Sequence, residues 1–295
     1  MPGVEAPIDH HTAGQASVRL RMLLAYNGGG FHGMAVQRRE RTVAKVLLEA
    51  LTTVLRQTTR PALVVAGRTD TGVHAWGQVV HVDVNPPSNG TFDLEKAQRS
   101  LNKMLGPEIV VRKIAIAADG FHARYSATYR RYRYTIVNRA VPDPFLAPFA
   151  WHVTEPLDRV AMTLGCDPLY GEHDFSSFCR VPKGEPDASM TRVLTEMQWV
   201  ELDDGLLRFD IGASSFCQQM VRSIVGLLVE IGRGKRSAGE VLAMLRSQDR
   251  SRGAPLAPPH GLCLWEVGYP DTFVPYVRNE ANAARSRRVH QGVSE

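Results

Sequence analysis

The chain has 295 residues, of which 44% are hydrophobic and 22% are charged. This is the composition of a globular protein, with enough chain for one large domain or two smaller ones. Lys and Arg outnumber Asp and Glu by 35 to 30, which permits an anionic partner such as RNA without requiring one. Neither an apolar run of about 20 residues nor a signal peptide is present, so we expect a cytoplasmic protein without a membrane anchor.

The cysteines and histidines do not indicate a metal site. The four cysteines are widely spaced, and no pair has the spacing of a metal or redox motif. We therefore expect reduced, mostly buried thiols. Four histidines fall within the motifs discussed below or near them, but none belongs to an H-x-x-x-H unit. Structural histidines are the simpler interpretation, and we expect no bound metal.

The first half of the chain alternates between strand and helix patterns. Period-two hydrophobic alternation predicts strands, and apolar stripes at spacings of three and four predict helices. Thr42 and Asp93 have the side chains of helix N-caps. In chain order we predict a strand over 17–26, a helix over 43–55, strands over 62–66 and 78–84, a helix over 94–105 and a strand over 109–116.

The second half repeats this order loosely. We predict a strand over 130–138, a helix over 156–165, strands over 192–202 and 205–213, helices over 216–231 and 238–247, and a strand over 262–269. The pattern indicates an α+β protein with helices on a largely antiparallel sheet. We divide it into halves at 17–120 and 121–275, with a flexible arm over 1–16 and a flexible tail over 276–295.

A glycine motif follows the first strand. Gly28, Gly30 and Gly33 satisfy G-x-G-x-x-G, which in a dinucleotide site opens directly into a helix. Here the next helix begins no earlier than about Thr42. A turn is therefore the better interpretation, and a nucleotide-dependent enzyme is a distant alternative.

Residues 67–78, GRTDTGVHAWGQ, are the most informative segment. They follow a buried strand, so a rigid element holds an exposed loop. Asp70 lies two residues from Arg68, whose positive charge favours an ionised carboxylate. Such a carboxylate can serve as a nucleophile or a base. A purely structural Asp70–Arg68 pair that caps the turn is the common alternative.

Two further segments carry arginine in unusual settings. Residues 121–134, FHARYSATYRRYRY, interleave aromatic and basic side chains, a pattern suited to RNA but also to a half-buried strand. Tyr132 and Arg133 fall on opposite faces of this strand. In the helix predicted over 216–231, Arg222 lies in an apolar run and needs either an anion or a path to the surface.

Together these segments resemble the tRNA pseudouridine synthase A family. The family's catalytic motif matches GRTDTGVHA, its second motif matches FHARYSA with RYRY, and its third matches MVRSIVG at 220–226. Smaller matches at 101–102, 171–175 and 257–262 follow in the same order. One segment departs from the family pattern, since Asn27 replaces an acid and Met34 replaces a Trp.

The resemblance implies the pseudouridine synthase fold, with two ferredoxin-like or RRM-like halves sharing a largely antiparallel sheet flanked by helices. It implies isomerisation of uridine to pseudouridine in the anticodon stem-loop of tRNA, at positions 38, 39 and 40. The target base must be flipped out. No cofactor is expected, and the family is homodimeric.

The resemblance also implies roles for individual residues. Asp70 is the catalytic carboxylate, acting as nucleophile or base, Tyr132 stacks on the flipped base, and Arg222 pairs with Asp70. The segments further predict a set of RNA contacts: Arg68, His74, Arg124, Arg131 and Arg133. A catalytically inactive RNA-binding protein of the same fold is the alternative function.

Overall fold

The computed structural model describes residues 17–270, apart from 89, 182, 183, 185 and 186. The predicted arm over 1–16 and tail over 276–295 lie outside these residues. The helices are α1 (Val43–Val54), α2 (Leu94–Leu105), α3 (Arg159–Leu164), α4 (Met220–Gly232) and α5 (Glu240–Ser247). The strands are β1 (Val18–Tyr26), β2 (Leu63–Val65), β3 (His74–Val84), β4 (Ile109–Ile116), β5 (Tyr129–Asn138), β6 (Trp151–Val153), β7 (Gly171–Asp174), β8 (Thr191–Glu201), β9 (Leu206–Ala213) and β10 (Leu262–Gly268).

The first half forms a βαββαβ unit. Its elements run β1, α1, β2, β3, α2 and β4 along the chain. In the sheet, β1 lies between β4 and β3, and β2 pairs with the far side of β3. The order 4-1-3-2 with antiparallel pairings is that of a ferredoxin-like fold.

The second half repeats the same arrangement. Its elements β5, α3, β8, β9, α4 and β10 follow the same βαββαβ order, and in the sheet β5 lies between β10 and β9, with β8 outside. The pairings within this set are antiparallel. The chain therefore contains two ferredoxin-like units, as the family resemblance implies.

One sheet joins the two units. β10 pairs with β3 in parallel, through Cys263 opposite His74 and Leu264 opposite Ala75. The sheet has ten strands, and its only other parallel pairing among the described residues joins β5 to β6. A single buried apolar cluster extends across both units. The seam between β3 and β10 therefore brings together residues that are distant in sequence.

Local sequence signals explain the helix starts in the first half. The Thr42 hydroxyl accepts a hydrogen bond from the N–H of Lys45 at 3.3 Å, and the Asp93 carboxylate accepts one from the N–H of Lys96 at 2.9 Å. Each satisfies one of the unpaired N–H groups of a first helical turn. Both predicted caps are confirmed.

The structure corrects several predicted boundaries. The strands β6 and β7 have no counterpart in the predicted elements, and α3 is shorter than the helix predicted over 156–165. The helix predicted over 216–231 begins at Met220, because Gln219 has φ +66° and the chain turns before it enters the helix. No helix among the described residues is long and apolar enough to cross a membrane.

Candidate active site

Asp70 lies on the loop between β2 and β3, which closes in a tight turn. The N–H of Val73 donates to the Asp70 carbonyl oxygen at 3.1 Å. Gly72 has φ +78°, in the left-handed region that glycine enters without a steric penalty. The Asp70 side chain is 24% exposed. The carboxylate is therefore open to a ligand while its backbone is held.

The glycine-rich segment after β1 packs directly against this loop. A Cβ atom on Gly28 would overlap the carbonyl oxygen of Val73, and one on Gly33 would lie 2.7 Å from that of Thr69. The N–H of Met34 also donates to the Thr69 carbonyl oxygen at 3.1 Å. Two glycines of the G-x-G-x-x-G motif therefore allow a close backbone approach that braces the Asp70 loop.

A buried hydrogen-bonded group supports the loop from below. The hydroxyls of Tyr26 and Thr69 are 2.8 Å apart. The Gln78 amide donates to the carbonyl oxygen of Gly67 at 2.7 Å and accepts from its N–H at 3.3 Å. Burial raises the pKa of Tyr26 to about 12, so its hydroxyl keeps its proton at neutral pH. These bonds tie the start of the loop to β1 and β3.

His74 is a brace rather than an exposed contact. The motif predicts RNA contact for this residue, but in the structure the imidazole is buried. Its Nδ1 accepts from the N–H of Gly28 at 3.0 Å, so Nε2 donates to the carbonyl oxygen of His260 at 3.1 Å. Burial lowers the pKa of His74, which favours this neutral form. In this structure both ring nitrogens are therefore bonded to the protein itself.

Arg222 reaches Asp70 from the second unit. Its Nη1 lies 3.6 Å from the Asp70 Oδ2, and its side chain is 13% exposed. Its Nε donates to the carbonyl oxygen of Ala257 at 2.7 Å. Gly226, one turn further along α4, permits the 255–257 segment to approach, because a Cβ there would overlap the carbonyl oxygen of Pro255. The guanidinium is thus fixed on one edge and faces the carboxylate with another.

Tyr132 lies beneath the same loop, on β5. It is 7% exposed, and a Cβ atom on Gly67 would lie 3.9 Å from its hydroxyl oxygen. Its ring stands perpendicular to that of Phe216, with centroids 5.2 Å apart. Burial, with smaller effects from Tyr26 and the negative charge of Asp70, raises the pKa of Tyr132. The phenol is therefore neutral and can donate a proton in a hydrogen bond.

Arg130 is a buried residue that the sequence motifs do not single out. Its guanidinium donates to four carbonyl oxygens, those of Ala66 (3.1 Å), Arg124 (2.8 Å), Ala127 (3.2 Å) and Ser214 (2.7 Å). These bonds connect the start of the Asp70 loop to the segments before β5 and before α4. Arg130 lies on the same, buried face of β5 as Tyr132. An arginine on the face that otherwise carries buried aromatic residues is the sequence signal that could have identified it.

Two of the predicted RNA-binding arginines lie on the opposite face of β5. Arg131 forms ion pairs with Glu196 at 2.8 Å and Glu266 at 3.0 Å. Arg133 pairs with Asp210 at 3.1 Å and lies over the ring of Trp265, 3.7 Å from its centroid. The structure does not bring these two side chains together with Asp70.

The other two predicted arginines are exposed. Arg68 lies in the Asp70 loop, two residues before Asp70. The ion pair of Asp70 is with Arg222 rather than with Arg68. Arg124 precedes Tyr125, a side chain that is 76% exposed. The Tyr125 ring stacks on His122 with centroids 4.4 Å apart. Arg68 and Arg124 are therefore free to meet a ligand at the surface.

The structure corrects the expectation of four reduced cysteines. Cys179 and Cys217 form a disulfide, with Cα atoms 5.7 Å apart and 38 residues of sequence separation. Cys166 and Cys263 are free thiols, and burial raises the pKa of each to about 12. The disulfide joins the segment after β7 to the turn that leads into α4.

The two departures from the family motif fit their surroundings. The Asn27 side chain accepts from the N–H of Gly29 at 3.0 Å and so caps the turn Gly28–Gly30, as an acid would. Met34 is fully buried in the common core. The Met34 backbone also bonds the Asp70 loop, through the carbonyl oxygen of Thr69.

The assembled groups define a class of enzyme site. An accessible carboxylate faces a fixed guanidinium, with a neutral phenol beneath it, where two ferredoxin-like units meet. A family model described as tRNA pseudouridine synthase matches residues 166–270. Fold, site and family model together define a pseudouridine synthase, an isomerase.

Curated relatives identify the particular family. A tRNA pseudouridine synthase A of Bacillus subtilis is 40% identical over 252 residues, covering 85% of this chain and 99% of the relative. Proteins of the same name from Streptomyces griseus and Thermosynechococcus vestitus are 39% and 38% identical, covering 94% and 89% of their own lengths and 92% and 88% of this chain. The chain belongs to the tRNA pseudouridine synthase A family.

Proposed function

We propose that this protein isomerises uridine to pseudouridine in the anticodon stem-loop of tRNA, at positions 38, 39 and 40. The observation that carries the proposal is the ion pair between the Asp70 carboxylate and the Arg222 guanidinium, at 3.6 Å across the seam of the two units. In this reaction the bond from ribose C1′ to base N1 breaks and a bond from C1′ to C5 forms. The C5 proton is lost and N1 gains one, so no oxidant or second substrate is consumed.

Asp70 acts on the ribose of the target nucleotide. A carboxylate can attack the sugar as a nucleophile or remove a proton from it as a base. In either role it must be negatively charged, and a fixed guanidinium stabilises that charge. Arg222 supplies it and is in turn held by the Ala257 carbonyl oxygen. Arg222 therefore orients the carboxylate and places a positive charge beside it.

Tyr132 contacts the base of the target nucleotide. Its ring lies beneath the Asp70 loop and its phenol is neutral. A uridine in a stem is stacked and paired, so the enzyme must extrude it before C1′ can be reached. An extruded base can stack on an aromatic ring, and such stacking contributes about 1–3 kcal/mol per base. We assign this contact to Tyr132. The Phe216 ring packs perpendicular to the Tyr132 ring and fixes its orientation.

The RNA backbone is met by exposed arginines on this side of the molecule. Arg68 is exposed at the Asp70 loop, where it can fill the space of the extruded base or bind a phosphate. Arg124 and the exposed Tyr125 offer a charge and a ring side by side, with the Arg124 guanidinium carbon 5.6 Å from the ring centroid. We propose both arginines as RNA contacts.

We further propose that the protein works in the cytoplasm and is a homodimer. Light scattering coupled to size-exclusion chromatography would test the homodimer.

The direct test is to map the product. Purified protein is incubated with an unmodified tRNA transcript and no added cofactor, and pseudouridine is located by chemical labelling and primer extension. We expect new pseudouridines confined to positions 38, 39 and 40. The matched control is a transcript in which the uridines at those positions are replaced by cytidines, and it should remain unmodified.

Two results would contradict the proposal. Labelling elsewhere in the tRNA, with the anticodon stem-loop unmodified, would refute the assigned target. Tight binding of tRNA with every uridine unchanged would instead support a catalytically inactive RNA-binding protein of the same fold.

A further inference from the structure

Arg250 lies beside the entrance to α4 and is not part of the site described above. It begins the short turn Arg250–Arg252 that follows α5, and the Asp249 side chain caps this turn by accepting from the N–H of Ser251 at 2.8 Å. The Arg250 Nη2 donates to the Gln219 side-chain oxygen at 2.6 Å. Gln219 is the residue directly before α4. One edge of the guanidinium is therefore fixed to the helix that carries Arg222.

The other edge of this guanidinium lacks a partner. The Arg250 Nη1 is buried and has no hydrogen bond within the described residues, and Arg250 is absent from the ion pairs that those residues form. A buried, charged N–H group left without an acceptor is unfavourable, because it has lost its bonds to water and gained none in the protein. An arginine fixed at Nη2 and unsatisfied at Nη1 is the arrangement expected where a ligand supplies the missing acceptor.

The local charge balance favours an anionic ligand. Arg180 lies close enough to Arg250 for the two positive charges to repel each other, and Asp70 close enough to attract it. Asp70 is already paired with Arg222. The Arg180 backbone is held near the same place, since its N–H donates to the Gln218 carbonyl oxygen at 2.9 Å. The region therefore carries more positive than negative charge.

We propose that Arg250 binds a phosphodiester oxygen of the RNA backbone next to the target nucleotide, through Nη1, with Arg180 adding to the attraction. The inference rests on the proposed function, since it places the substrate's backbone beside Asp70. Arginine suits this role because its planar guanidinium is already oriented by Gln219 and needs little further ordering. Arg250 thus positions the flipped nucleotide rather than reacting with it.

The test compares tRNA binding by Arg250→Ala, Arg250→Lys and Arg252→Ala over a series of salt concentrations. Each phosphate contact contributes about 0.7–0.9 to the slope of log affinity against log salt. Arg250→Ala should lower the slope by about that amount and weaken binding by about tenfold at ~0.1 M salt. Arg250→Lys keeps the charge and should recover most of the slope. Arg252→Ala, an exposed arginine in the same turn, should stay within about twofold of wild type.

Thermal unfolding and isomerisation separate this inference from its alternatives. The inference is overturned if Arg250→Ala binds with the wild-type salt slope. It is also overturned if that variant unfolds markedly earlier and Arg250→Lys restores neither stability nor slope, because the role is then structural. A wild-type protein that forms no pseudouridine, but whose salt slope still falls in Arg250→Ala, would refute the proposed reaction and leave the phosphate contact standing.

Discussion

The two faces of β5 use arginine in opposite ways. On one face Arg131 and Arg133 are neutralised by carboxylates at 2.8–3.1 Å. On the other, Arg130 donates to four carbonyl oxygens beside Tyr132. The alternation of basic and aromatic residues therefore does not mark a single RNA-binding surface. The two faces differ in what the guanidinium groups bond: carboxylates on one face, and backbone carbonyl oxygens around the Asp70 loop on the other.

The largest effect on catalysis should come from the arginine that crosses the seam. Arg222→Ala removes the cation that holds Asp70, and displacement of a reacting group by about 1 Å can cost about 100-fold in rate. We expect a fall of at least about 100-fold in kcat with KM within about threefold of wild type. Steady-state kinetics with an unmodified tRNA transcript provide the measurement.

Arg222→Lys is the matched control for that variant. Lysine keeps the charge, but it lacks the planar guanidinium. It therefore cannot use one edge to bond the Ala257 carbonyl oxygen while a second edge faces Asp70. Its activity should lie between those of Arg222→Ala and wild type. Equal activity of Arg222→Ala and wild type would show that the ion pair is not used in the reaction.

Replacing Arg130 should have the largest effect on stability. Arg130→Met leaves four carbonyl oxygens without their donor, and hydrogen bonds from charged groups contribute about 1.5–3 kcal/mol each before compensation by water. We expect the free energy of unfolding to fall by about 3 kcal/mol, measured by urea denaturation. Arg131→Met on the opposite face is its control.

The brace behind the Asp70 loop should be sensitive to a single methyl group. In Gly28→Ala the new Cβ overlaps the Val73 carbonyl oxygen, so the loop must shift. We expect a loss of about 2 kcal/mol in stability and about tenfold in kcat. Gly29→Ala, whose Cβ would meet only the Asn27 side chain at 3.2 Å, should behave almost as wild type. A normal kcat in Gly28→Ala would show that the loop tolerates displacement.

Acid should weaken the segment that leads into Arg124. The His81 Nδ1 accepts from the N–H of Ala123 at 2.9 Å, and burial lowers the pKa of His81 from 6.5 to about 4. The unfolded chain therefore binds more protons than the folded one between these values. Stability should fall as the pH drops from about 6.5 to about 4. Above this range His81 is neutral in both the folded and the unfolded chain, so it adds no pH dependence.

Urea denaturation across this pH range provides the measurement. His81→Asn replaces the ring nitrogen with an amide oxygen that can accept the same bond and does not titrate. Its stability should change less with pH than that of wild type. Identical pH dependence in the two proteins would remove His81 as the cause.

The smallest effect is expected for the carboxylate-paired arginines. Arg131→Met breaks partly exposed ion pairs, which typically contribute about 0–1 kcal/mol. We expect stability within about 1 kcal/mol of wild type and isomerisation within about twofold. A large loss of tRNA binding in this variant would show that the outer face of β5 also contacts RNA.

Local sequence signals identified most of the fold. Thr42 and Asp93 mark helix starts with side chains that bond their own helices, and period-two alternation located the long strands within a few residues. The strands β6 and β7 have three and four residues, too few for alternation to be visible. The start of α4 depends on the backbone of Gln219, which the hydrophobic pattern does not encode.

The site was less accessible to sequence reasoning where it depends on tertiary contacts. The motifs singled out Asp70, Tyr132 and Arg222, and the structure shows how two folded units bring them together. The bracing role of Gly28 requires knowing that the Val73 backbone lies against it. Likewise, the burial of His74 and the pairing of Arg131 follow from neighbours that are distant in the sequence.

The measurement that tests the central claim most directly is a single-turnover reaction of Asp70→Asn with tRNA, together with its binding affinity. Asparagine keeps the size of the side chain but is neither a nucleophile nor a base at neutral pH. We expect tRNA binding within about threefold of wild type and pseudouridine formation reduced by more than about 1,000-fold. Conversion at a rate close to that of wild type would contradict the assignment of Asp70 as the catalytic carboxylate.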